Sequence, residues 1–200
     1  MAPPTLDFWF EFASTYSYLS AMRIDDIAAQ HGVAVRWRPF LLGPIFAAQG
    51  WDTSPFNIYP AKGRYMWRDM ERICAERGLA FARPDPFPQN GLMAARIALA
   101  AGTAMPAFCH AVYQAQFAQG ADISDTAVLA DCLTTAGLPH DLIQRAGTPE
   151  VKTALRAQTE EAMRIGLFGA PSFVSGAEVF WGDDRLEQAM AWALRQNTLE

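Results

Sequence analysis

The sequence predicts an α/β fold in which a βαβ unit opens the chain, a ββα unit closes it, and a long all-helical stretch lies between them. Three observations lead there. Thr5 to Phe12 (TLDFWFEF) and Val33 to Arg38 (VAVRWR) have strand character and flank a helix-like segment. Ser172 to Ser175 and Glu178 to Trp181 read as two short strands around Gly176, ahead of a last helix. From Ala61 to Ile165 the chain reads as helices joined by turns.

The first strand alternates only a little, is rich in aromatics and ends at Ala13-Ser14. A helix follows directly, over Tyr16 to His31, because Leu19, Met22, Ile27 and Ala28 recur near helical spacing and Gly32 supplies a stop. Val33 to Arg38 returns to strict alternation. Together these make a βαβ unit, whose right-handed crossover sets two parallel strands side by side. Pro39 to Pro60 is full of Gly, Pro and polar turn residues, a long loop of the kind that usually contacts a ligand. A helix over Ala61 to Arg77 precedes the Pro-rich stretch Arg83 to Pro88. Helices are then expected near Gln89 to Ala101, Pro106 to Gln119, Asp125 to Ala136 and Pro139 to Arg145. A long one over Pro149 to Ile165 is stopped by Gly166. After Gly169-Ala170-Pro171 come the last two strands and a helix over Asp184 to Arg195. This order is what a thioredoxin-like sheet with an inserted helical subdomain requires. It assigns residues 1–45 and 167–200 to the thioredoxin-like domain, and residues 46–166 to the insertion with its substrate-side loop.

Composition narrows the function classes. Hydrophobic residues make up 51% and charged residues 18% of the 200, which is ordinary for a globular domain. A net charge of -5 offers no basic stripe for nucleic acid. The first residues lack the basic and apolar regions of a secretory signal, so a cytoplasmic protein is expected. Ile97 to Ala121 carries no formal charge, but Gly102, Pro106, His110 and three glutamines interrupt it, so two packed helices are expected and not a membrane span. Cys74, Cys109 and Cys132 form no CxxC pair and no metal-ligand spacing, which points to a reducing compartment and no metal.

The chemistry gathers at Ser14-Thr15-Tyr16-Ser17, between the first strand and the first helix. A hydroxyl there caps backbone N–H groups, and a helix start favours negative charge. Dithiol oxidoreductases of this fold carry CxxC at such a turn, where the helix end lowers a thiol pKa. Here both positions are serine, so the turn cannot exchange disulfides, yet it suits a thiolate brought by a ligand. Helix capping alone is the plainer reading. Lys62, Tyr65 and Asp69 share a helix face, while Arg64, Arg68 and Arg72 read as a solvated stripe paired with Asp69 and Glu71. Trp9, Trp67 and Trp181 are candidates for a pocket wall, with core burial as the default. His31 and His140 lie at helix ends and His110 in an apolar helix, so none stands out as a base.

The segments FWFEFASTYSYLS, SPFNIYPAKGRYMWRDMER, PFPQNGLMAARIAL, GLFGAPSFV and FWGDDRLE, in this order over nearly the whole chain, resemble the 2-hydroxychromene-2-carboxylate isomerases, relatives of kappa-class glutathione transferases. YMWRD points to the isomerase branch, and Thr15 departs from the proline that relatives commonly carry after the serine. The resemblance implies that Ser14 donates a hydrogen bond to the sulfur of bound glutathione. It implies a cis Ala170-Pro171 turn whose main chain clamps the glutathione peptide, with Asp183 and Asp184 at the glutamyl end. Asp184 also reads as an N-cap, with Glu187 completing a capping box. Lys62 and Asn57 are the residues expected to polarise an aromatic carboxylate substrate. A homodimer is expected by the same analogy. The implied activity is glutathione-dependent conversion of 2-hydroxychromene-2-carboxylate to trans-o-hydroxybenzylidenepyruvate. A kappa-like transferase and a non-catalytic module that binds thiol peptides are the alternatives.

Overall fold

The computed structural model describes residues 3–196. Strand β1 (Thr5–Phe10) lies inside a four-stranded sheet of order β2-β1-β3-β4, with β2 at Ala34–Pro39, β3 at Ser172–Ser175 and β4 at Glu178–Trp181. It runs parallel to β2, from Thr5 opposite Ala34 to Phe10 opposite Pro39, and antiparallel to β3, with Trp9 opposite Ser172. The sequence of β1 alternates poorly because both faces are covered. Leu6, Phe8 and Phe10 enter the larger core, which also takes in Leu19, Trp37, Ile97, Phe108 and Phe173. Trp9 turns to a smaller core with Phe40, Ile45, Ala162 and Leu167. Phe8 packs against Phe10, Trp37 and Phe173 with ring centroids 4.9–5.5 Å apart, contacts worth about 1 kcal/mol each beyond area burial.

The expected helix over Tyr16 to His31 is two helices, α1 (Thr15–Ala21) and α2 (Ile24–His31). The apolar spacing continues through the junction, but Arg23 leaves helical geometry at φ -140° and ψ -13°. Its guanidinium is engaged elsewhere, donating to the Asp183 carbonyl at 2.8 Å and pairing with the Asp183 and Glu187 carboxylates. The segment expected as a loop between Pro39 and Pro60 also carries helices, α3 (Leu42–Ala48) and the single turn α4 (Pro55–Ile58). The Gly and Pro residues that suggested a loop sit where short helices tolerate them: Pro55 opens α4 directly after the Ser54 cap.

Helix α5 (Pro60–Arg77) ends at Gly78, and α6 (Leu92–Ala101) and α7 (Met105–Tyr113) follow the Pro-rich turn. Leu92 to Ala118 is long and apolar enough to cross a membrane. Gly102, at φ +58°, divides it, and Ala94, Ile97, Ala98, Phe108, Cys109 and Val112 are buried in the larger core. Helices α8 (Thr126–Thr135), α9 (Leu142–Arg145) and α10 (Pro149–Arg164) complete the helical stretch. After β4, a 3-10 turn at Asp183–Arg185 leads into α11 (Leu186–Gln196). The strands and the last helix fall within the residues assigned to the thioredoxin-like part, whose residues 1–2 and 197–200 lie outside the described residues. Both core clusters run through both parts. The three cysteines are buried free thiols, with burial pushing Cys74 and Cys132 up to about 11.

Asp183 joins three elements. Its side chain is only 4% exposed; Oδ1 accepts from Ser20 Oγ at 2.9 Å and Oδ2 from Arg77 at 2.8 Å, beside the Arg23 contacts. Removing this buried acid leaves Arg77 without its carboxylate and Arg23 with only Glu187, and it empties a buried site that holds two guanidinium groups. Asp183→Ala is therefore expected to lower the unfolding free energy by about 3 kcal/mol or more. Urea denaturation measures it, and a loss below about 1 kcal/mol would mean that the cluster does not hold these elements together.

Candidate active site

Ser14 stands at the end of β1 as the N-cap of α1. Its Oγ accepts the Ser17 N–H at 3.1 Å and donates to the Ala170 carbonyl at 2.8 Å. The turn before α1 is thus tied to the Ala170-Pro171 turn before β3. The Ala170-Pro171 bond is cis, and Pro171 is buried while Ala170 keeps part of its surface open.

Both turns open onto a cavity of about 1070 Å³. Aromatic side chains wall much of it: Tyr16 from α1, Phe46 from α3, Trp51, Tyr65 from α5, Phe168 and Trp181. Phe168 and Trp181 meet edge to face at 4.9 Å, and Trp181 lies so close over Gly169 that a Cβ at position 169 would strike its indole nitrogen. Gly182, at φ +109° and ψ 151°, turns the chain from β4 towards Asp183 in a conformation that only glycine adopts readily.

Of the residues singled out in the sequence, Ser14, Ala170, Lys62, Asp183 and Asp184 all line this cavity. Lys62 is exposed, with its ammonium 5.6 Å from the Tyr59 ring centroid. Asp184 is exposed and near Arg185, whereas Asp183 is committed to Ser20, Arg23 and Arg77. Asp183 therefore supports the wall from behind, and Asp184 is the acid open to a ligand. Asn57 departs from its expected position. It is exposed, outside the residues lining the cavity, and its amide donates to Thr53 Oγ1 at 3.2 Å. The cause is the single turn of α4, which sets Phe56 towards the cavity and Asn57 away from it. Lys62, Tyr65 and Asp69 do share the cavity face of α5, while Arg68 pairs with Glu71 and Arg72 with Asp69. Of the three tryptophans considered, Trp181 lines the cavity, Trp9 is core, and Trp67 packs on Phe87.

Sequence reasoning missed Glu11, Tyr16, Arg77 and Gln89. Tyr16 donates to Asp69 at 3.0 Å and so links α1 to α5. Gln89 is buried in the cavity wall, with Oε1 accepting from the Ile123 amide and Nε2 left without a partner. Glu11 is the most informative of these, and Asp7 shows why. Asp7, also from β1, stands opposite Arg36 in register and pairs with it at 2.6 and 3.0 Å, with Arg38 at 3.5 Å. Glu11, one residue past the strand, reaches no such cation. Its Oε2 accepts the Ala13 N–H at 2.8 Å, and desolvation outweighs that bond and raises its pKa from 4.5 to about 7. A charged residue just past an apolar strand, three positions before the N-cap serine, was the available signal.

Residues 5–191 match the family model described as DSBA-like thioredoxin domain. A protein of Sphingobium xenophagum named 2-hydroxychromene-2-carboxylate isomerase is 29% identical over 185 residues, 92% of this chain and 94% of its own. Human glutathione S-transferase kappa 1 is 24% identical, over 92% of this chain and 88% of its own. A solved 2-hydroxychromene-2-carboxylate isomerase structure superposes with a TM-score of 0.86 at 24% identity, covering 97% of this chain and 98% of the other.

The raised pKa of Glu11 carries a sign. Below about pH 4.5 it is protonated whether the chain is folded or unfolded. As the pH rises from there to about 7, the unfolded chain ionises more readily and stability falls. Glu11→Gln removes this loss. Its stability advantage over the parent is expected to grow across that interval to on the order of 3 kcal/mol and then level off. Urea unfolding at several pH values checks it, and a pH-independent difference would contradict the shift.

Proposed function

The chain belongs to the DSBA-like thioredoxin domain family, and on that premise we propose that it is a glutathione-dependent isomerase that converts 2-hydroxychromene-2-carboxylate to trans-o-hydroxybenzylidenepyruvate. The observation that carries this reading is the Ser14 hydroxyl at a turn without cysteine, bonded to Ala170 at the edge of a large aromatic cavity. A cysteine there would form mixed disulfides; serine hydrogen-bonds a sulfur and leaves it free. A volume of about 1070 Å³ is at the upper end of ordinary small-ligand sites, which suits a tripeptide and a bicyclic substrate held together.

In this reading the glutathione backbone runs along Ala170 and its amide N–H takes the Ala170 carbonyl. That exchange frees the Ser14 O–H to turn towards the sulfur. A free thiol titrates near about 8.5, and the hydrogen bond favours its ionised form near neutral pH. Asp184 receives the glutathione ammonium and Lys62 the substrate carboxylate. Asn57, turned towards Thr53, takes no part. The hemiketal ring opens, its ring C–O bond breaking as the hydroxyl proton passes to the phenol oxygen and leaves an enone. The thiolate then adds to the conjugated carbon, the former double bond rotates as a single bond, and elimination returns the thiolate with no redox change. A kappa-like transferase, the activity that the human relative's name carries, would use the same thiolate site, but its glutathione would leave as a conjugate. A module that only binds thiol peptides would show binding without turnover.

Purified protein is expected to convert 2-hydroxychromene-2-carboxylate only when glutathione is present, followed by absorbance, with glutathione recovered unchanged. Ser14→Ala should lower kcat roughly 100-fold while its circular dichroism stays that of the parent. Full turnover in Ser14→Ala would overturn the role of Ser14. Accumulating conjugate would favour the transferase. Lys62→Met is expected to raise KM severalfold with kcat nearly unchanged, because it removes a contact made equally to substrate and transition state.

A further inference from the structure

The isomerisation proposed above leaves two protons to be handled in a cavity walled largely by aromatic groups. Glutathione arrives as a thiol, and addition of its thiolate pushes charge onto the substrate's carbonyl oxygen. Ser14 can donate a hydrogen bond to sulfur, but a serine hydroxyl is far too weak an acid or base to hold either proton near neutral pH. Lys62 is exposed beside the Tyr59 ring, and Asp69 is engaged by Tyr16 and Arg72. Asp183 is engaged by Ser20 and two arginines, and Asp184 is in the open.

Glu11 is placed differently. It lines the same cavity as Ser14, and the Ser14 N–H donates to the Glu11 carbonyl at 3.0 Å, so the two residues belong to one turn. The carboxyl lies beside Gly91, where a Cβ would sit in ordinary contact with Glu11 Oε1 at 3.4 Å and press harder on Phe12 Cβ at 3.0 Å. Facing Glu11 are the Ala13 amide, the backbone of Gly91 ahead of α6, and, from α7, the Tyr113 hydroxyl, which donates to the Glu11 carbonyl at 3.0 Å. Burial holds Tyr113 neutral, so none of these groups is charged. The charged residues elsewhere on the wall are Asp52, Lys62, Asp69, Arg77, Asp183 and Asp184.

We propose that Glu11 is the proton carrier of this site, taking the proton of the incoming thiol and lending it to the substrate during addition. The inference rests on the isomerase reading. On binding, the S–H bond breaks and an O–H bond forms on the Glu11 carboxylate. As the C–S bond forms, an electron pair moves to the carbonyl oxygen, which takes the proton from Glu11. After rotation, Glu11 removes that proton again, the C–S bond breaks, and the thiolate leaves with no net change in protons or electrons. The raised pKa of Glu11, about 7, lets both forms exist at working pH.

Glutathione binding tests this without turnover. Titration calorimetry in buffers of different ionisation enthalpy counts protons released, and the ultraviolet thiolate band counts thiolate formed. The parent should form thiolate with little release to buffer at about pH 8, where Glu11 starts out ionised and the adjacent thiolate, with water displaced, raises its pKa further so that it keeps the proton. Glu11→Gln keeps an acceptor for the Ala13 amide. It should either release about one proton per thiolate or lose the thiolate band, and kcat/KM should fall roughly 100-fold or more. Infrared difference spectra of the parent alone should gain a protonated-carboxyl band on glutathione binding, which keeps the test open should Glu11→Gln fail to fold. Equal thiolate and equal proton release in the two proteins, or no carboxyl band in the parent, overturns the inference. If glutathione binds and Glu11→Gln isomerises as fast as the parent, the role of Glu11 falls and the isomerase reading stands. If glutathione does not bind the parent, the isomerase reading falls first and takes this one with it.

Discussion

The antiparallel register of β1 on β3 is the constraint on which the candidate site depends. With Trp9 opposite Ser172, the residues just beyond the end of β1 and those just before β3 must meet, although 156 positions of sequence separate Ser14 from Ala170. Burial of β1 on both faces enforces that register. A one-residue slip would send Phe8 and Phe10 to the face of Trp9 and empty the larger core. The same residues that make β1 a poor alternating strand therefore align a hydroxyl and a carbonyl to hydrogen-bonding distance.

A second layer of order comes from charge. Asp183 is the point where the α1–α2 junction, the end of α5 and the start of α11 converge, through Ser20, Arg77 and Arg23. Arg77 is the last residue of α5, so this helix of the central stretch is tied to the helix that closes the sheet. The wall carrying Lys62 and Tyr65 thereby stands at a set distance from the turn carrying Ala170. Glu11 is the counterexample within β1 and its flank. Asp7 is neutralised across the sheet by Arg36, whereas Glu11 is left to desolvation, a local loss of stability that ordinary packing does not account for.

Much of this was legible from residues alone. The strands β3 and β4 fall where their short apolar runs around Gly176 placed them, and Ser14 caps a helix as its position before an apolar periodic segment required. What was not legible depended on partners distant in sequence. The break at Arg23 exists because Asp183 and Glu187 attract its side chain, and no periodicity near residue 23 records that. Helices α3 and α4 are too short to show a period and contain the residues that normally signal turns. Asn57 and Lys62 were both candidates for a ligand, Asn57 with turn formation as its plainer reading, and the single turn of α4 is what sets Asn57 away from the cavity. Tyr16, Arg77 and Gln89 became site residues through packing, with no local pattern to announce them.

If the cavity takes a thiol, as proposed, the Ser14–Ala170 bond bears on which thiol it can be. The hydroxyl is already satisfied by the Ala170 carbonyl at 2.8 Å, so turning it towards a sulfur means leaving that carbonyl without its donor. A ligand with an amide N–H alongside its thiol can supply the replacement in the same event. A simple alkyl thiol has nothing to offer the carbonyl, and the hydroxyl gains little by moving. On that reading, selectivity for peptide thiols resides in the Ser14–Ala170 bond as much as in the pocket, because only a ligand of matching backbone releases the hydroxyl.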